Sequence, residues 1–307
     1  MKPEWQGGGK SMVRLSRRSW FAAVATLAVA TTARPSAANK LKVVTTFTIL
    51  GDLVRNVGRE HVALTTLVGP DADAHVYEPT PADARALAQA DVVVVHGLGF
   101  EGWMDRLVEV SGYKGPVVLA SEGIAALRLD RHRPDPHAWQ DLANGRLEVA
   151  NIARGLAAAD PAYAQAYSRR AEAYDRELAA LDRDIRSRLE AFPADRRRVI
   201  TSHDAFQYFG RAYGIDFHAP VGLSTESEPS AAEVAALIRL MRDEGIHALF
   251  VENVTDPRLV EQLARETGAS IGGTLYADSL SGPTGPAPTY LDMFRHNVGE
   301  ISRALLD

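Results

Sequence analysis

The sequence predicts an α/β fold of two similar lobes, each a parallel sheet flanked by helices, joined by one long backbone helix. Three observations carry this. Short β-rich runs alternate with helical stretches over most of the chain. One segment, residues 161–192, is rich in Ala, Arg, Glu and Leu and has no Gly or Pro after its first residue. Finally, VVTTFTILGDLVRNVG (43–58) is echoed by VITSHDAFQYFGRAYG (199–214): a strand, a Thr-containing turn, a helix, then Gly.

The first 38 residues read as an export leader rather than as fold. Arg14, Arg17 and Arg18 make a basic region, WFAAVATLAVA (20–30) an apolar core, and PSAA (35–38) a small-residue cleavage site. The apolar run is too short to span a bilayer. Arg17-Arg18 fits a twin-arginine signal as well as an ordinary leader. The 307 residues contain no cysteine, so neither a lipobox nor a disulfide is expected. A soluble periplasmic protein, not a lipoprotein, follows. Removing the leader leaves 28 basic and 38 acidic residues, a net charge of −10. That surface disfavours nucleic acid and anionic membranes and mildly attracts cations.

Strands are expected at 41–46 (LKVVTT), 62–67, 92–96 (VVVVH), 116–119, 199–201, 248–251 (ALFV) and 269–272. Runs such as VVVV indicate parallel strands buried on both faces. Helices are expected at 81–90, 230–244 and 257–267, with Pro81, Pro229 and Pro257 at or near their starts, where a missing N–H costs little. Residues 161–192 read as one helix of about 30 residues, roughly 45 Å long at 1.5 Å per residue. Its apolar face is Tyr163, Tyr167, Tyr174, Leu178, Leu181, Ile185 and Leu189. The expected organisation is a first lobe at 39–160, the connecting helix at 161–192 and a second lobe at 193–307.

His75, His137 and His203 lie at similar intervals in turn-like segments, and Asp278 follows. In α/β proteins the loops at strand ends are where ligands bind. A lone loop histidine is more often a solvated surface residue, and a lone loop aspartate a turn residue. Together, three imidazoles and a carboxylate complete a tetrahedral donor set for a borderline metal such as Zn(II). Glu78 is a candidate acceptor for an imidazole N–H, as are Asp135 and Asp141, for which helix capping is the alternative. Asp204 is a candidate to hold or cap the helix after His203. Of the other histidines, His96 ends a buried strand near the crevice and is a candidate to support a ligand from behind; His61, His218, His247 and His296 read as structural or surface residues. Trp139 and Tyr77 read as packing beside the site.

DADAHVYEPTP, PDPHAW, TSHDAFQYFG, VENV and LYADSLSGPTGPAPTYLDMFRHN occur in this order. This set resembles the cluster A-I metal-binding proteins of ABC importers over nearly the whole chain after the leader. The resemblance implies an ion held between two α/β lobes, with ligands matching His75, His137, His203 and Asp278. It is closest to zinc-specific members, including the kind loaded by a periplasmic metallochaperone. It implies one Zn(II) per monomeric chain, an ABC permease as partner and no enzymatic activity. Two departures matter. Many zinc members carry a His-rich loop before the second ligand, whereas LRLDRHRPDPH (127–137) has only His132 there. Many manganese members have Glu where this chain has His203; three nitrogens and one carboxylate favour Zn(II) over the harder Mn(II). Mn(II) or Fe(II) carriage is the alternative. A periplasmic zinc hydrolase is the competing class, but no HExxH or GxSxG motif is present. The long helix is expected to resist wide hinge opening, leaving modest movement and loop ordering on binding.

Overall fold

The computed structural model describes residues 40–128, 133–226 and 228–306. The leader and His132 lie outside the described residues. The chain forms two four-stranded sheets, all of whose pairings are parallel. The first contains β1 (Leu41–Thr45), β2 (Val62–Thr66), β3 (Val92–Val95) and β4 (Val117–Leu119), in the order β2-β1-β3-β4. The second contains β5 (Arg198–Ile200), β6 (Asp216–His218), β7 (Ala248–Glu252) and β8 (Ser270–Leu275), in the order β6-β5-β7-β8. The two orders are the same. The internal echo is the cause: β1 with α1 (Thr48–Gly58) and β5 with α6 (Gln207–Tyr213) are the same unit at the same sheet position. β6 has no mark in the sequence because three residues, two of them polar, cannot display a period.

Valines of β3 show why the runs become strands. Val92, Val93 and Val94 are all buried, so the strand is covered on both faces and β-branched side chains suit it throughout. The remaining helices are α2 (Pro81–Ala88), α3 (Met104–Ser111), α4 (Leu142–Ala159), α5 (Ala164–Glu190), α7 (Ala231–Glu244), α8 (Arg258–Thr267) and α9 (Tyr290–Ala304). Capping boxes start α2 (Thr80 with Asp83) and α7 (Ser230 with Glu233). Gly214 ends α6 in the left-handed conformation, φ +72°, which costs glycine nothing.

The long helix is slightly shorter than expected. Residues Pro161–Tyr163 form a separate 3-10 turn, and α5 runs 27 residues from Ala164. It stops ahead of Pro193, which disfavours helix in the residue before it. The stripe Tyr167, Ala171, Tyr174, Leu178, Leu181, Ile185 and Leu189 is buried in a core cluster that takes in Val43 and Leu53 on one side and Val199 and Phe209 on the other. Tyr163 is only half-buried and stacks on His61. Near one end Arg170 donates to the Gly58 carbonyl at 2.7 Å; near the other Arg186 donates to the Ala212 carbonyl. One rigid rod therefore touches the first helix of each repeated unit. No helix among the described residues is long and apolar enough to cross a membrane.

Candidate metal centre

Each of the four residues follows a strand at its C-terminal end. His75 lies between β2 and α2, His137 between β4 and α4, His203 directly after β5, and Asp278 between β8 and α9. Parallel strands send their following loops to one edge, so four dispersed positions come together there. One donor atom from each lies within 4.8 Å of all the others. Asp278 Oδ2 is 3.1 Å from His203 Nε2 and 3.3 Å from His75 Nε2; Asp278 Oδ1 is 3.7 Å from His137 Nε2. His75 Nε2 and His137 Nε2 are 3.2 Å apart. Donors about 2.1 Å from a shared tetrahedral centre stand roughly 3.4 Å from each other, so the spacing fits a small four-coordinate cation.

The far side of two imidazoles is held. His137 Nδ1 is 2.8 Å from Asp135 Oδ1, which also accepts the His137 backbone N–H at 2.9 Å. His203 Nδ1 meets Glu252 Oε2 in a short ion pair, while Glu252 Oε1 accepts the His203 N–H at 2.9 Å. A carboxylate on Nδ1 keeps a proton there and leaves the Nε2 lone pair facing the centre. His75 is fixed through its backbone: its N–H donates to Asp73 Oδ1 at 2.8 Å. Asp73 Oδ2 accepts the Thr225 hydroxyl at 2.6 Å, tying the segment after β6 to this loop.

His137, His203 and Asp278 are fully buried. Both Asp278 oxygens and His203 Nε2 lack a hydrogen-bond partner, which is costly for buried polar atoms. Two bare Nε2 lone pairs converging beside a carboxylate are stabilised only by positive charge between them. Without an ion a proton supplies part of it. Burial pulls the His203 imidazole down, but the Glu252 and Asp278 carboxylates outweigh burial and leave it well above its ordinary value. Burial raises the Asp278 carboxyl, but His203 and His137 outweigh that and hold it well below the usual range. The residues present thus fit a divalent cation with mixed nitrogen and oxygen donors.

The supporting roles in part match the expectations and in part differ from them. Glu78 is exposed, and the His75 ring instead meets His137 and Asp278. Asp135 is the acceptor for His137, whereas Asp141 caps α4 by accepting from Ala143 N–H. Asp204 accepts from the Gln207 side chain, while Phe206, which has no side-chain cap bond, precedes α6. Trp139 packs against His137 and also donates to the Ala277 carbonyl. Glu252 carried no assigned role in the sequence; a carboxylate ending the apolar strand ALFVE, inside the VENV motif, was the available signal. His61 stacks on Tyr163, His218 lies beside Asp216 and His296 beside the Thr274 carbonyl.

The family model described as zinc-uptake complex component A, periplasmic, matches residues 43–304. This chain belongs to that family. Its members are metal-binding solute-binding proteins of ABC transporters, carriers rather than enzymes. Among its relatives, the iron-binding protein YfeA of Yersinia pestis is 34% identical over 285 residues, covering 91% of each chain. The manganese-binding lipoprotein MntA of Halalkalibacterium halodurans is 35% identical over 259 residues, 84% of this chain and 86% of the relative. Of solved structures, the periplasmic zinc binding protein TroA from Treponema pallidum superposes with a TM-score of 0.83 at 32% identity, covering 87% of this chain and 99% of that one. The family's fold is therefore the one found here. Several relatives are named lipoproteins, whereas this chain has no cysteine for a lipobox.

Proposed function

We propose that this protein captures one Zn(II) ion in the periplasm with His75, His137, His203 and Asp278 and delivers it to the permease of an ABC importer. The observation that carries the reading is the convergence of three imidazole Nε2 atoms on the Asp278 carboxylate, with partnerless buried polar atoms at the centre. In this reading residues 39–160 and 193–307 act as two lobes bridged by the ion, and residues 161–192 join them. Four protein donors fill a tetrahedral shell, which suits carriage, since catalytic zinc keeps a position open for water. We further propose that the carrier is monomeric and not lipidated, and that a periplasmic metallochaperone loads it in place of a His-rich loop.

Zinc over manganese rests on the donor set: imidazole suits Zn(II), and carboxylate, carbonyl and water suit Mn(II). The second reading, Mn(II) or Fe(II) carriage, draws on relatives named for manganese and iron. Elemental analysis of protein purified from its periplasm, followed by Zn(II)/Mn(II) competition, separates the two. Zinc as isolated, with displacement of Mn(II) by stoichiometric Zn(II), is the expected result. Manganese or iron as isolated, retained against zinc, overturns it.

A further inference from the structure

Beside the centre lies a second buried ionisable group that the capture of an ion does not use. His96, after β3, and Glu148, on α4, are both fully buried. His96 Nε2 is 2.6 Å from the carbonyl oxygen of Pro136, the residue before His137. A carbonyl only accepts, so Nε2 carries a proton. His96 Nδ1 is 3.3 Å from Glu148 Oε1, and neither Glu148 oxygen has a hydrogen-bond partner. Were the imidazole neutral and the carboxylate ionised, two acceptors would face each other without solvent. A second proton therefore belongs to the pair, and in either placement the Nε2–H stays on Pro136. Burial pulls His96 down, but Glu148, then Glu101 and the Pro136 carbonyl, push it up, which favours the imidazolium.

The ring cannot swing away. Trp139, Phe100 and Phe47 surround it edge-on, with centroids 4.7, 6.1 and 6.3 Å away. The Pro136 carbonyl also accepts the Ala138 N–H at 2.7 Å, so its direction sets the backbone on both sides of His137. We infer that His96 and Glu148 are positioning residues that fix the Pro136 carbonyl and so aim the His137 imidazole at the centre; this rests on the metal-binding reading of that site. Two apolar side chains of like volume would fill the place at no lower stability. They would supply no donor to Pro136. A charge-assisted bond is the stronger way to hold one carbonyl in place before an ion arrives.

The test compares the parent with a His96→Leu/Glu148→Leu variant and a His96→Gln/Glu148→Leu variant. The glutamine amide nitrogen reaches the Nε2 position without charge. Zn(II) affinity is read by competition with a chromophoric chelator, beside the melting temperature of the metal-free proteins. The Leu/Leu variant should melt near the parent yet bind about 10-fold to 100-fold more weakly. The Gln/Leu variant should recover most of the affinity. Parent-like affinity in Leu/Leu, or no recovery in Gln/Leu, overturns the inference. If Leu/Leu does not fold, His96→Asn, whose amide is too short to reach Pro136, must bind more weakly than His96→Gln; equal affinities overturn it. A parent that binds no cation refutes the reading of the site itself, a distinct result.

Discussion

The indole Nε1 of Trp139 donates to the carbonyl oxygen of Ala277 at 2.9 Å. Trp139 is two residues beyond His137, and Ala277 immediately precedes Asp278. Gln140 donates to the same oxygen at 2.8 Å. Two proposed ligands that follow strands of different sheets are thus fastened together near the backbone. Tyr208 adds a third tie, its hydroxyl donating to the Asp135 carbonyl at 2.9 Å.

Trp139→Phe keeps most of the ring and deletes one donor. A buried hydrogen bond contributes about 1 kcal/mol, so the metal-free protein should melt about 2–4 °C lower. Differential scanning calorimetry with a chelator present checks this. An unchanged melting temperature would mean that Gln140 alone holds the Ala277 carbonyl.

Glu252→Gln keeps the shape but removes the charge beside His203. The imidazole becomes less basic and its Nε2 a poorer donor to a cation. Zn(II) affinity should fall about 10-fold to 100-fold, read by chelator competition. Parent-like affinity would reduce Glu252 to a space-filling role.

Metal-induced stabilisation should grow with pH. The raised His203 contributes stability that is full below about pH 6.5, its ordinary value, and fades as pH rises through its folded value. The depressed Asp278 contributes above about pH 4 and loses its contribution as pH falls through its folded value. The metal-free pair is therefore best stabilised between about pH 4 and 6.5, where His203 holds a proton that an incoming ion must displace. The rise in melting temperature on adding Zn(II) should be larger at pH 8 than at pH 5.5. An equal rise at both would count against a histidine-rich centre.

His137→Ala and His203→Ala should each weaken Zn(II) binding on the order of 100-fold or more, whereas His132→Ala should change it little. Asp278→Ala should leave a weaker site with three nitrogens. Isothermal titration orders the four variants. A loss for His132→Ala equal to that for His137→Ala would bring His132 into the centre, and an Asp278→Ala variant that binds like the parent would remove the carboxylate from it.

Thr225→Val cuts the bond that joins the segment after β6 to Asp73, the residue that holds the His75 backbone. Both line a cavity of about 900 Å³ that reaches His203. Loss of about 1 kcal/mol should speed Zn(II) dissociation by up to about fivefold and, as for Trp139→Phe, lower the metal-free melting temperature by about 2–4 °C. Stopped-flow mixing with excess chelator measures the rate. A parent-like rate would show that this tie does not restrain release.

Much of the fold was legible because it is written in local patterns. The Val92–Val95 run marks a doubly covered strand, and the Pro-free stretch ending at Glu190 marks a helix. The repeat at 43–58 and 199–214 pointed to two similar units, and the two sheets share one strand order. Asp135 was legible as a partner of His137 because it is two residues away. Glu252 was not, since it lies 49 residues from His203 and reaches it only because β7 pairs with β5. His96 was legible as a candidate support for a ligand, but its partner was not, since Pro136 lies 40 residues away.

The sequence by itself determined the strand-and-helix alternation, the connecting helix and the identities of His75, His137, His203 and Asp278 as candidates, because burial and turn chemistry act between neighbours in the chain. Tertiary structure decided where the three Nε2 atoms and the Asp278 carboxylate point, which carboxylates hold the opposite nitrogens, and that Asp73, not Glu78, steadies His75. Hydrogen bonds are directional and short-ranged. Their partners are set by how sheets and loops pack in space, which spacing along a chain does not encode.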